Sequence, residues 1–201
     1  MTIEPRRPVL LFDIMSTVVY DPIWKEIPGF FGLELREFFR AVKPNAWVEF
    51  ELGRLNESET MAEFFIDGRS FDTQAFKHTI REAYRFIDDE MEPLLQRLKS
   101  AGFAMHALSN YPPWYSMIEE RLALSRYLEW TFVSCNLGVR KPDPQIYTRA
   151  CDHLGIAPGD ALFIDDREDN CEGALAVGLD AIRFESTATL AQALEARGVP
   201  A

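Results

Sequence analysis

The sequence predicts an α/β fold: a Rossmann-like parallel sheet core with helices on both faces and an inserted helical cap. Three observations predict it. Five short apolar runs alternate with helical patterns, one long interval breaks that alternation, and acids or small polar residues stand where the runs end.

The first run, residues 8–14, is apolar from Pro8 through Phe12 and meets Asp13, the pattern of a strand buried on both faces. Runs at 103–108, 131–135, 161–164 and 181–184 look similar. Helical patterns separate them. Residues 93–100 put Leu94, Leu95 and Leu98 on one face, with Gly102 just beyond as a C-cap. Patterns at 116–127, 144–154 and 170–177 behave likewise, and 190–196 closes the chain. Such alternation argues for right-handed βαβ units.

About 80 residues separate the first strand from Phe103, several times one crossover helix. Within them lie helical patterns at 33–42, 46–52, 57–67 and 73–87 and no convincing strand. The expected division is a core of residues 1–19 and 93–201 with a cap of residues 20–92. That cap hangs over the carboxyl edge of the sheet, where open α/β sheets bind ligands. Its aromatic residues, Trp24, Phe38, Phe39, Trp47, Phe50, Phe64, Phe65 and Phe71 among them, are expected to form chiefly the bundle's own core. Phe30 and Phe31 follow Pro28-Gly29 less periodically and read as a substrate-facing lip or an interface patch. Arg36 and Arg40, one helical turn apart, read as a solvated face, with an anionic substrate as the alternative.

At 201 residues the chain is one domain with an insertion. Its 21 basic and 32 acidic residues give a formal charge of −11, which excludes nucleic acid as a partner and demands a local cation for any anionic substrate. No run approaches the ~20 apolar residues of a membrane span, and the N-terminal run is too short for a signal sequence. Cys135, Cys151 and Cys171 lack metal-type spacing and read as reduced thiols, so a cytoplasmic location is expected, with monomer and homodimer both left open by the sequence.

The candidate chemistry sits at the strand ends. Strand one ends at Asp13, strand two at Ser109-Asn110 and strand four at Asp165-Asp166, while Lys141 lies in the loop before the 144–154 helix. Carboxylates gathered in a low-dielectric cleft repel one another, and a divalent cation removes the conflict. Hard oxygen ligands together with a substrate phosphate are the usual environment of Mg²⁺. Ser109, Asn110 and Lys141 would then face the charge that develops on a phosphoryl group.

These residues resemble the haloacid dehalogenase superfamily of hydrolases. The similarity runs through LFDIMST, HALSN, Lys141 in VRKPDPQIY, and FIDDREDN, in that order; WVEFELGRLNESE is similar to a cap helix of the family. The resemblance implies that Asp13 is the nucleophile and forms an aspartyl-phosphate. It implies Mg²⁺ as cofactor, held by Asp13, the main-chain carbonyl of Met15, Asp165 and Asp166. It places Ser109, Asn110 and Lys141 on the phosphoryl oxygens, Asn170 behind the metal loop and Thr17 at a conformational hydroxyl. The expected substrate is a small phosphorylated metabolite.

One departure stands out. Where the family's phosphatases carry a second aspartate two residues after the nucleophile, this chain has Met15, and a thioether transfers no proton. General acid–base help of about 10²–10⁴-fold is lost with it. Three readings follow: a phosphatase whose proton comes from elsewhere or whose leaving group needs none; a dehalogenase or phosphonatase; or a degenerate site that binds a phospho-ligand or a protein. Retention of Asp165-Asp166 argues against halide chemistry. Glu26, Glu49, Glu51, His78 and Tyr111 are the conceivable replacement donors.

Overall fold

A computed structural model describes residues 7–200. Five strands, β1 (Val9–Phe12), β2 (Met105–Ser109), β3 (Glu129–Val133), β4 (Ala161–Asp165) and β5 (Asp180–Arg183), form one sheet in the order β3-β2-β1-β4-β5. Every neighbouring pair is parallel. β1 is central because its apolar run can be dry on both faces, and Leu10, Leu11 and Phe12 are fully buried.

Six α-helices lie between β1 and β2, of which the first five form the insertion: α1 (Glu26–Phe30), α2 (Leu35–Ala41), α3 (Pro44–Glu51), α4 (Glu57–Ala62) and α5 (Thr73–Ala83). The remainder are α6 (Met91–Ser100), α7 (Tyr115–Leu122), α8 (Ser134–Leu137), α9 (Pro144–Leu154), α10 (Glu168–Ala176) and α11 (Thr187–Glu195). Leu10 and Phe12 pack with Leu94 and Leu98 of α6, Ile118 of α7 and Leu190 of α11. Leu11 and Phe163 point to the other face, against Ile146, Tyr147 and Ala150 of α9 and Ala174 of α10. Helices therefore cover both faces, as expected of parallel strands.

The order places β1 and β4 side by side, with later strands running outward from them in both directions. That junction is the topological switch point, and the crevice beyond the carboxyl ends of these two strands is open for a ligand. Asp13 and Asp165 lie there.

The inserted helices have a phenylalanine core. Phe31 is its centre, with ring centroids 4.8 Å from Phe65, 4.9 Å from Phe30, 5.0 Å from Phe71 and 5.2 Å from Phe76. The reading of Phe30-Phe31 as a lip or interface patch is thereby corrected: the short α1, which the patterns missed, turns both rings inward. Arg36 and Arg40 are exposed. Elsewhere the elements shift at their ends. β3 gives way at Ser134 to α8, so Ser134 and Cys135 are helical rather than extended, and α7 stops at Ala123, whose φ of 49° breaks it. α5 ends at Ala83, freeing Phe86 to pair with Val19. Gly53 lies so close to the main chain of Cys135 that a Cβ there would stand 2.4 Å from its carbonyl oxygen.

Candidate active site

β1 delivers Asp13 to the switch point, and its N–H donates to the Ile164 carbonyl at 2.8 Å, keying it to β4. The chain then doubles back. Val18 and Val19 N–H donate to the Ile14 carbonyl at 2.9 and 2.8 Å, while Ser16 takes a φ of 61°. Thr17, fully buried, donates its hydroxyl to Asp13 Oδ2 at 3.5 Å. Asp165, the last residue of β4, is fully buried and receives Asn170 Nδ2 at 3.0 Å on each oxygen and the Arg167 N–H at 2.8 Å. Asp13, Asp165 and Asp166 present carboxylate oxygens within 4.8 Å of one another.

Lys141 is 2% exposed and drives its ammonium into this cluster, 2.7 Å from Asp13 Oδ1 and 2.6 Å from Asp165 Oδ2. Asn110 holds it there by a reciprocal pair: Asn110 Nδ2 donates to the Lys141 carbonyl at 2.9 Å, and the Lys141 N–H donates to Asn110 Oδ1 at 2.8 Å. The Asn110 amide expected on phosphoryl oxygens is thus engaged with the Lys141 main chain. Ser109 Oγ is different. It is buried and has no hydrogen-bond partner among the described residues, a hydroxyl left for an absent acceptor.

Burial pushes the Asp13 carboxyl up to about 8, against the pull of Lys141 and helped by the charge of Asp165. Asp166 is raised by burial first and by Asp165 next. Burial works against the Lys141 charge, but Asp13 and Asp165 outweigh it and hold the ammonium above its ordinary range. Three carboxyl groups facing one ammonium leave a surplus of acid in the crevice that stays partly protonated without a further cation. An all-oxygen donor set with that surplus fits a hard divalent cation.

A cavity of about 490 Å³ adjoins the cluster. Phe38, Phe39, Trp47 and Phe76 from the inserted helices, Phe64 from the loop after α4 and Tyr111 from beyond β2 supply aromatic walls. Met15, Asp21, Glu51, Asn110, Arg140 and Arg167 supply the remaining chemistry, with Lys43 at one side. Of the five candidate donors, Glu51 and Tyr111 line this space. Burial pushes Glu51 up to about 7 against the pull of Arg140, whose guanidinium is 2.9 Å from its Oε2. The Tyr111 hydroxyl shares a 2.6 Å hydrogen bond with Tyr84, and burial raises it well above the ordinary tyrosine range. The other three point elsewhere: Glu26 accepts from the Tyr20 hydroxyl at 2.9 Å, Glu49 pairs with Arg54 at 3.2 Å, and His78 is exposed. Asp21, Arg140 and Arg167 had drawn no attention in the sequence. An Asp ahead of a proline signals only a turn, and nothing local tells that the turn borders a cavity.

An aspartate, an acid pair and a buried lysine gathered at the switch point of a parallel sheet define a protein of the Rossmann-like α/β class with its candidate site at the carboxyl edge. The family model for haloacid dehalogenase-like hydrolases matches residues 9–178, and the chain belongs to that family. It is 44% identical over 194 residues to the Arabidopsis thaliana chloroplast protein named flavin mononucleotide hydrolase 1, covering 96% of this chain and 79% of that one. It is 29% identical over 111 residues to a glyceraldehyde 3-phosphate phosphatase of Methanopyrus kandleri, covering 53% of this chain and 47% of the relative. A Bacteroides thetaiotaomicron HAD-family enzyme solved with magnesium and inorganic phosphate shares the fold at a TM-score of 0.70 and 18% identity, over 92% of this chain and 98% of that one. Among the described residues no helix is long and apolar enough to cross a membrane.

Proposed function

We propose that the protein is a Mg²⁺-dependent phosphatase that works through an aspartyl-phosphate on Asp13 and takes an alkyl phosphate monoester carrying a planar aromatic ring system, such as flavin mononucleotide. The observation that carries the reading is the Lys141 ammonium between Asp13 and Asp165, with Asp166 in the same acid cluster, while Met15, Asn110 and Arg167 from the surrounding loops line an aromatic-walled cavity. The volume of that cavity suits a small organic ligand, and the name of the Arabidopsis relative supports the substrate class. Residues 20–92 act as the cap over a core formed by 1–19 and 93–201, of which residues 1–6 and 201 lie outside the described residues.

In this reading an Asp13 carboxylate oxygen attacks phosphorus, and the ester oxygen departs into the cavity. Lys141 pulls the Asp13 carboxyl toward its ionised form against the effect of burial and faces the developing charge, while Ser109 donates its free hydroxyl to a phosphoryl oxygen. Asn110 sets the position of Lys141 and so of the phosphoryl group. Asp13, the main-chain carbonyl of Met15, Asp165 and Asp166 are the residues that would hold Mg²⁺, which supplies positive charge against the incoming dianion. Asn170 fixes Asp165 for that task. The three free thiols suit a reducing, cytoplasm-like compartment.

The test is release of riboflavin and inorganic phosphate from flavin mononucleotide with and without Mg²⁺, in the natural protein and in Asp13→Asn. Turnover that needs Mg²⁺ and vanishes in Asp13→Asn is expected. A natural protein that turns over neither flavin mononucleotide nor acetyl phosphate, yet binds Mg²⁺, would overturn the enzyme reading in favour of a phospho-ligand-binding protein.

A further inference from the structure

We propose that Asp21 is the general acid and base of this site, protonating the leaving oxygen and later taking a proton from the attacking water. The inference rests on the phosphatase reading above and adds the residue that moves the proton where Met15 cannot.

Three structural features support it. Residues 14–19 fold back on the Ile14 carbonyl, so the chain returns past Met15 before it reaches Asp21. The indole N–H of Trp24 donates to Ser16 Oγ at 3.2 Å, tying the Pro22–Trp24 turn to the neighbour of Met15. Asp21 caps that turn by accepting the Ile23 N–H on Oδ1 at 2.9 Å, and its Oδ2 has no hydrogen-bond partner among the described residues. The residue borders the same cavity as Met15 and Asn110. Glu26, Glu49 and the Tyr111 hydroxyl are engaged by hydrogen-bonding partners of their own, and Glu51 is held by its ion pair with Arg140 at 2.9 Å, although its Oε2 makes no hydrogen bond among the described residues.

The electrostatic surroundings agree. Asp166, Tyr84 and Tyr111 are the titratable groups that interact with Asp21, while Lys43, Glu51, Arg140 and Arg167 stand around the rest of the cavity. Burial first and the charge of Asp166 second push the Asp21 carboxyl up to about 6, against the lowering effect of the Ile23 N–H. A carboxyl in that range gives up and regains a proton near neutral pH.

The two half-reactions balance. As an Asp13 oxygen bonds to phosphorus, the bond to the ester oxygen breaks, its electron pair stays on that oxygen, and the Asp21 proton goes to it. Water then bonds to phosphorus and passes a proton to the Asp21 carboxylate. The bond to Asp13 breaks, and phosphate leaves with both side chains restored.

Asp21→Asn keeps an oxygen to cap Ile23 and removes the acidic proton, and Asp21→Ser does the same with a hydroxyl. In both variants flavin mononucleotide turnover should fall about 10²–10⁴-fold. With 4-nitrophenyl phosphate, whose leaving group needs no proton, both should still release a stoichiometric burst of nitrophenolate followed by slow turnover. The high-pH limb of kcat/KM for flavin mononucleotide should disappear. Flavin mononucleotide turnover within twofold of the natural protein, or a burst lost along with it, overturns the assignment. So does the same signature in Glu51→Gln instead. A natural protein inactive on both esters overturns the phosphatase reading with it; an active one that depends on Asp13 but not on Asp21 overturns the proton assignment alone.

Discussion

The Lys141 ammonium stands 2.7 Å from Asp13 Oδ1, although 128 positions separate the two residues in the chain. The contact is buried on both sides, so each group is the other's substitute for water. Removing the cation leaves Asp13 and Asp165 facing each other without it. Lys141→Met should destabilise the metal-free protein by about 3–5 kcal/mol, the usual cost of stranding a buried charge. Urea unfolding at pH 7.5 measures this, and a loss under about 1 kcal/mol would mean that the pair is solvated rather than buried.

Magnesium should relieve the same surplus of negative charge. At a free concentration 100 times its dissociation constant it should stabilise the fold by about 2.7 kcal/mol, visible as a rise in Tm that EDTA reverses. Asp165→Asn should abolish that rise. A Tm indifferent to Mg²⁺ in the natural protein would count against a cation at the acid cluster.

Glu51 makes stability depend on pH. Its carboxyl lies near 7 in the folded chain and near 4.5 unfolded, so between these values the folded state binds the proton more tightly. The contribution is present below about 4.5 and lost as pH rises through about 7. Glu51→Gln has no such loss. Between pH 5 and pH 8, without metal, the stability of Glu51→Gln relative to the natural protein should improve by about 2 kcal/mol. A difference that stays constant across that range would contradict the burial of Glu51.

Phe39 is 54% exposed although it lines the cavity beside the buried Phe38. An open aromatic face at the rim is suited to stacking on a planar substrate, a contact worth about 0.5–1.5 kcal/mol. Phe39→Ala should therefore raise KM for flavin mononucleotide about 2–10-fold with kcat unchanged, and leave the constants for acetyl phosphate as they are. Steady-state kinetics on both substrates decides it; equal effects on the two would remove Phe39 from substrate recognition.

The sheet was legible because strands buried on both faces must be apolar throughout, and the run at Val9–Phe12 has no other explanation. Asp13, Asp165, Asp166 and Lys141 were legible as a group because each sits at a strand end or in the loop ahead of a helix, where the topology brings them to one edge. What stayed hidden has a physical reason too. A helix as short as Glu26–Phe30, containing Pro28 and Gly29, is too brief to display a period, so Phe31 showed no sign of being the centre of a cluster. Asp21, Arg140 and Arg167 come from three separate loops, and their meeting around one cavity depends on packing that no local pattern encodes. The hydrogen bonds of Asn110 to Lys141 are equally non-local: the sequence placed the amide near the site but not the partner it would choose.

Most of the chamber's aromatic walls come from a different stretch of the polypeptide than the acid cluster at the strand tips. Phe38, Phe39, Trp47, Phe64 and Phe76 can drift without displacing a single acid at the strand tips. Point replacements in the inserted segment would therefore remodel the aromatic lining while leaving the carboxyl groups and Lys141 in their places at the sheet edge.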